Sequence, residues 1–261
     1  MKKVVVITGG SSGIGRSAAA LFAGAGYTVY ELSRSGRDTD LARHITADVT
    51  QTPSLCAAFR SVFEREGRLD VLVCNAGMGI SGPVEGTTDE AAQRQFDVNF
   101  FGAFRCVREA LPYLRESGDA HIVTLSSVAA PLPIPFQAFY SASKAAVNAL
   151  TLALANELRP AGIRVCAVLP GDVRTGFTAA RQKGADGGLY GERAARAVGA
   201  MEKDEQNGMP PEAVARVILR AAQRKHPRPL YVAGGKYHLF VLLAKLLPAR
   251  LCNRLVGLLY G

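Results

Sequence analysis

Short runs of valine, isoleucine and leucine recur along the chain, separated by longer stretches in which apolar residues return every three or four positions. The runs at 3–8 (KVVVIT), 28–33 (TVYELS), 44–49 (HITADV), 69–75 (LDVLVCN), 121–127 (HIVTLSS), 163–170 (IRVCAVLP) and 229–234 (PLYVAG) predict strands. Several are continuously apolar instead of alternating, which suits a parallel sheet covered on both faces. Between them, Ile14, Ala18, Phe22 and Ala25 fall at helical spacing, as do Phe96, Phe100, Ala103 and Val107. The stretch TTDE at 87–90 has the form of a capping box for the helix that follows. This alternation predicts an α/β fold, a doubly wound parallel sheet of about seven strands flanked by helices. Only the ten residues RSGRDTDLAR separate the second and third strands, so any helix in that crossover has at most a turn or two.

Composition narrows the picture. At 261 residues, with 48% hydrophobic and 20% charged, the chain can fill one sizeable core, and a single domain over 1–261 is expected. No repeat, low-complexity tract or linker divides it. Five cysteines at wide spacing form neither a disulfide framework nor a CxxC pattern, so free thiols and no metal site are expected. The N-terminal MKKVVVITGG is too short in apolar residues for a secretory segment, and a cytoplasmic location is expected. The net charge of +9 comes from scattered arginines with no nucleic-acid-binding motif beside them. An anionic small molecule is the better match than nucleic acid.

The stretch VVVITGGSSGIGRS carries a strand into glycines and then a helix. Gly9, Gly13 and Gly15 have G-x-x-x-G-x-G spacing, which allows a tight turn and lets backbone N–H groups reach a pyrophosphate at the helix N-terminus. A glycine-rich turn without a ligand is the plainer alternative. At the end of the second strand, a carboxylate would bind an adenosine ribose and repel a 2′-phosphate. Ser33 stands there, followed by Arg34 and, nearby, Arg37. A guanidinium can hold the phosphate, so NADP(H) is favoured over NAD(H).

In AFYSASKAAV, Tyr140 and Lys144 lie one helical turn apart on one face. A ketone accepting hydride needs a proton, and a phenol of pKa about 10 is a sluggish acid–base group at neutral pH. A nearby ammonium favours the phenolate and is expected to lower that pKa. Ser127, at the end of a strand, is placed to hydrogen-bond a substrate oxygen.

These residues resemble the short-chain dehydrogenase/reductase family, in particular its hydroxysteroid and retinol dehydrogenases. TGGSSGIG (8–15), DV (48–49), NAG (75–77), Asn99, SS (126–127), YSASK (140–144) and PGDVRT (170–175) stand in the family's order. The resemblance implies a Rossmann-like fold and a catalytic tetrad of Asn99, Ser127, Tyr140 and Lys144, with Asn99 in a helix holding a water in a proton relay to Lys144. It implies a cofactor site of Thr8, Gly9, Ser11, Ser12, Gly13, Ile14, Gly15, Ser33, Arg34, Asp48, Val49, Asn75, Ala76, Gly77, Tyr140 and Lys144. Pro170, Gly171, Val173 and Thr175 complete it near the nicotinamide.

The stiff apolar link AAPLPIPFQAF (129–139) and MGISGPV (78–84) flank the same region. They suggest a pocket lined by Met78, Leu132, Pro133, Ile134, Phe136 and Phe177 for a small hydrophobic, steroid- or lipid-like substrate. Residues 176–209 are polar and weakly periodic, and in the family this region is the substrate lid. The apolar extension 236–261 is interrupted by Lys245, Pro248, Arg250 and Arg254, so it does not span a membrane. It either packs over the pocket, forms a subunit contact or lies on a membrane surface, the first two being favoured. Ala142, Ala145, Ala146, Ala149 and Ala153 give a close-packing face, and the resemblance implies a homodimer or homotetramer through it and the helix near Asn99. The expected activity is NADP(H)-dependent interconversion of a secondary alcohol and a ketone. The alternatives are a non-catalytic nucleotide-binding regulator or scaffold, and a peripheral membrane protein.

Overall fold

A computed structural model of the chain describes residues 2–184 and 188–260. Parts of the expected domain (1–261) and lid (176–209), namely Met1, residues 185–187 and Gly261, lie outside them. Seven parallel strands form the main sheet: β1 (Val4–Thr8), β2 (Thr28–Ser33), β3 (Arg43–Thr46), β4 (Val71–Cys74), β6 (Ala120–Leu125), β7 (Ile163–Pro170) and β9 (Leu230–Ala233). Their order is β3-β2-β1-β4-β6-β7-β9. The chain winds outward from β1 in one direction, then returns to β4 and winds outward in the other. The reversal leaves a crevice beyond the carboxyl ends of β1 and β4, where ligands of such sheets bind.

Side chains alternate across each strand, so both faces need cover. Val4 and Val6 face α2 (Thr52–Glu66) and α4 (Gly102–Glu116), packing with Phe59, Val62, Val107 and Leu114. Val5 and Ile7 face α1 (Gly13–Gly24) and α8 (Pro211–Gln223), packing with Ala18, Phe22, Val214 and Ile218. Burial on both faces is why the strands read as continuous apolar runs.

Several sequence expectations shift locally. β3 stops at Thr46, because Asp48 turns the chain: its Oδ1 accepts from the Thr50 amide at 2.9 Å and the Thr50 hydroxyl at 2.8 Å. The short crossover before β3 contains no helix. The cap of α3 (Asp89–Phe96) falls on Thr88, whose hydroxyl accepts from the Ala91 amide at 3.2 Å, one residue later than the TTDE spacing places it. A π-helical turn, Asp97–Phe101, joins α3 to α4. α8 has no side-chain cap and starts instead on Pro211, whose fixed φ and missing N–H suit a first helical position.

Residues 176–209 hold more structure than their polarity suggested. α6 (Phe177–Ala180) is followed by β8 (Gln182–Lys183), paired with β5 (Ile80–Ser81), and then by α7 (Gly191–Gln206). α7 buries only Ala194, Ala197 and Met201, a stripe too small to stand out in hydropathy. The C-terminal extension forms α9 (Gly235–Leu246) and α10 (Ala249–Tyr260), broken at Pro248 as expected. Among the described residues, no helix is long and apolar enough to cross a membrane.

Candidate active site

The glycine turn after β1 is built to bring backbone close to backbone. Gly9 and Gly13 have φ of +65° and +50°, which residues with a Cβ rarely adopt. A Cβ on Gly15 would lie 2.2 Å from the Gly9 carbonyl oxygen, so this approach requires glycine. Asn75 locks the turn from β4: its Nδ2 donates to the carbonyls of Thr8 at 3.0 Å and Gly9 at 3.1 Å. The Thr8 hydroxyl accepts from the amides of Asn75 and Ala76, both at 3.1 Å.

Above this turn opens a cleft of about 1180 Å³. Gly9, Ser11, Ser12, Gly13 and Ile14 line one part, with Ser33, Arg34, Asp48 and Val49 along the adjoining rim. Asn75, Ala76 and Gly77 form the middle, and Pro170, Gly171, Val173 and Thr175 the far wall. Thr8 and Gly15, expected to bind a ligand, do not line the cleft. Their contacts hold the turn in shape.

Ser127, Tyr140 and Lys144 line the same cleft. Tyr140 and Lys144 project from α5 (Ala138–Glu157), which is tied to the end of β6 at two points. The Ser126 hydroxyl donates to the Lys144 carbonyl at 3.0 Å, and Lys144 Nζ donates to the Leu125 carbonyl at 2.8 Å. The ammonium lies 5.7 Å from the centroid of the Tyr140 ring. Asn99 sits in the π turn, behind Gly77. Its Oδ1 accepts from the Met78 amide at 2.8 Å, and its Nδ2 donates to the Met78 carbonyl at 3.0 Å and to Ser143 Oγ at 3.1 Å. Its amide therefore clamps the 75–79 loop against α5 and does not face the cleft.

Electrostatics here correct the simple expectation for the phenol. Burial pushes Tyr140 up to about 12, with hydrogen bonding to Ser127 drawing it partly back. Burial also lowers Lys144 to about 8. Removal of water outweighs the attraction between ammonium and phenolate. At neutral pH Tyr140 is a neutral phenol, the protonation state able to deliver a proton.

The Lys144 shift has a measurable consequence for stability. Between about pH 8 and about pH 10.5 the unfolded chain keeps a proton that the folded chain releases, so this group makes stability rise with pH. In urea titrations, the stability of wild type relative to Lys144→Met should grow by roughly 3 kcal/mol across that window. A difference that stays flat would show that Lys144 is not desolvated as described.

The apolar end of the cleft is smaller than the sequence suggested. Met78, Ile134 and Phe177 line it, whereas Leu132, Pro133 and Phe136 do not. The Ile134 amide donates to Ser141 Oγ at 3.2 Å, which holds Ile134 against the start of α5. Phe136, at φ 60°, packs edge-on to Tyr190 with ring centroids 6.4 Å apart. Phe177 stands beside the Tyr140 phenol, ring centroids 5.9 Å apart. Asp172, Gln137 and Glu205 also line the cleft and were missed in the sequence. Asp172 lay inside PGDVRT, but Glu205 carried no signal before α7 was placed. Glu205 accepts from both Thr178 and Arg181 and so ties the α6 segment to α7.

The family model for short chain dehydrogenases matches residues 3–186. The chain belongs to the short-chain dehydrogenase/reductase family. Among its relatives is the 3-ketodihydrosphingosine reductase of Bacteroides thetaiotaomicron, 38% identical over 229 residues that cover 86% of this chain and 85% of that protein. A short-chain dehydrogenase from Streptomyces avermitilis has a similar structure, with TM-score 0.82 and 32% identity over 93% of this chain and 92% of that one. A Burkholderia phymatum family member in complex with NAD superposes with TM-score 0.81 at 26% identity, covering 93% of this chain and 92% of that one. The chain is thus a family oxidoreductase acting on CH–OH or keto groups with a nicotinamide cofactor. The left-handed glycines, the close approach at Gly15 and a cleft running from Arg34 to Tyr140 fit such a dinucleotide.

Proposed function

We propose that this protein is an NADP(H)-dependent reductase that converts a ketone on a large hydrophobic, lipid-like molecule into the secondary alcohol, the reverse oxidation using the same groups. The observation that carries this reading is the convergence of Ser127, Tyr140 and Lys144 on one cleft with the glycine turn and Arg34.

When bound, the nicotinamide supplies the hydride that the carbonyl carbon gains. The Ser127 hydroxyl donates to the carbonyl oxygen and orients it. Tyr140 Oη gives its proton to that oxygen as negative charge develops there, leaving a phenolate. Lys144, one turn away, stabilises the phenolate and lies toward Asn99 through Gly77. Both N–H groups of the Asn99 amide are engaged, which leaves it no donor for a relay of protons past this residue.

The preference for NADPH rests on Arg34, which is exposed at the cleft rim. The carboxylate of β2, Glu31, is buried three residues before Arg34, where it accepts from Ser33 Oγ at 3.3 Å and pairs with His44. It does not line the cleft and is not placed to repel a 2′-phosphate. Arg34→Ala should weaken NADPH binding roughly 10- to 100-fold and leave NADH nearly unchanged, as loss of a charge-assisted hydrogen bond to phosphate requires. Equal weakening of both in a fluorescence titration would sink the assignment.

Met78, Ile134 and Phe177, with the name of the Bacteroides relative, support the lipid-like substrate. The test is NADPH oxidation against ketones graded from small and polar to long-chain or steroid-sized. Turnover confined to the large apolar ketones is expected; turnover of small polar ketones alone would overturn the substrate class. Phe101, Phe104 and Leu152 are exposed on and beside α4 and α5. They support a homodimer or homotetramer formed through those helices.

A further inference from the structure

α9 is apolar on two opposite sides, and α10 carries a leucine stripe beside a polar one. In α9, Tyr237 and Val241 are buried, and Tyr237 packs beside Gly171 with its hydroxyl donating to Asp172. At 100° per residue, Leu239, Leu242, Leu243 and Leu246 cluster on the side away from Tyr237 and Val241, and all four are exposed. In α10, Leu251, Leu255, Leu258 and Leu259 form a similar exposed stripe, with Leu258 at 77% and Leu259 at 66%. A helix with apolar residues all round is normally buried all round. Protein covers only one side of α9, and α10 buries no residue fully.

Charge indicates what covers the other. Residues 236–261 contain Lys236, Lys245, Arg250 and Arg254 and no aspartate or glutamate. Lys236 reaches toward Asp172, while Lys245, Arg250 and Arg254 are exposed. Arg250 and Arg254 lie one turn apart beside the leucine stripe of α10, the arrangement of helices that rest in a bilayer interface. A second copy docked on the same face by a two-fold axis would set cations against cations, which is costly. An anionic bilayer meets both the leucines and the cations. Two twelve-residue helices are too short to span a membrane but long enough to lie in its surface.

We infer that α9 and α10 form a docking face for the surface of an anionic lipid bilayer. The face adjoins the cleft through two phenols. Tyr237 bonds Asp172, which lines the cleft, and Tyr260 of α10 donates at 3.1 Å to Asp204, next to the cleft residue Glu205. Docking would hold the mouth of the site beside the membrane. The inference stands on the tail alone and does not depend on the substrate or cofactor reading.

The test uses the full chain and sedimentation with vesicles of phosphatidylcholine, with and without phosphatidylglycerol. The wild type should co-sediment with the phosphatidylglycerol vesicles and much less with phosphatidylcholine alone. Leu246→Asp combined with Leu258→Asp should reduce that binding more than tenfold. The combination Lys245→Gln, Arg250→Gln and Arg254→Gln should weaken it by about tenfold or more and remove its salt dependence. All five residues are exposed and outside the cleft, and an unchanged melting temperature of the variants shows that they fold. Wild type left in the supernatant with both vesicles overturns the proposal. So does binding that the substitutions leave intact, or a concentration-dependent oligomer lost in the leucine variant without any vesicle binding, which would assign the face to self-association.

Discussion

Tyr140→Phe is expected to lower kcat by roughly a thousandfold while dinucleotide affinity changes by no more than about twofold. The substitution removes one oxygen, the atom that carries the proton, and keeps the ring in contact with Phe177. Ser127 would still polarise a carbonyl, which is why some turnover should survive. The phenol is raised to about 12, so proton delivery in the wild type should not fall off through the neutral range on account of this group. Stopped-flow measurement of NADPH oxidation gives the chemical step directly. A variant retaining more than about a tenth of wild-type turnover would show that the proton comes from elsewhere.

Gly15→Ala should have the second largest effect, and it acts on structure before chemistry. The added Cβ would sit 2.2 Å from the Gly9 oxygen and 2.6 Å from Asn75 Nδ2. Neither is a flexible side-chain end, since Asn75 is held by the carbonyls of Thr8 and Gly9. The turn must open, at a cost of about 2–4 kcal/mol. Dinucleotide binding should fall at least about a hundredfold, since the misplaced turn loses several backbone contacts at once. Gly24→Ala is the control: it lies in the same helix with nothing within 4 Å of the added methyl, and should be neutral or slightly stabilising. Unchanged melting and unchanged cofactor affinity in Gly15→Ala would refute the close-approach role.

The sheet was legible in the sequence because its strands are buried on both faces. Seven apolar runs correspond to seven strands, with β3 shortened only where Asp48 bends the chain away. Tyr140, Lys144 and Ser127 were expected together because the proposed chemistry demands fixed spacings, and all three line one cleft. What was hidden is of a different kind. α7 escaped notice because alanines face the core, and small residues carry little hydropathy contrast. Leu132, Pro133 and Phe136 were expected in the pocket because their loop is apolar, yet a loop's side-chain directions depend on contacts the sequence does not display. The bond to Ser141 and the left-handed backbone at Phe136 decide them. The lowering of the Tyr140 pKa by Lys144 was expected from spacing alone. Burial, a property of the whole fold, proves the stronger influence. For the extension after Gly235, sequence located the break at Pro248 but not which side of each helix the protein covers.

The central claim is that this cleft transfers hydride from NADPH to a ketone on a large apolar molecule. It is tested most directly by incubating the protein with deuterium-labelled NADPH and a long-chain ketone, then locating the label in the product by mass spectrometry. One deuterium on the carbinol carbon, formed far more slowly with Tyr140→Phe, is the expected result. Tight NADPH binding with no label in any long-chain or steroid-sized ketone would contradict the account and leave a dinucleotide-binding protein with a different task.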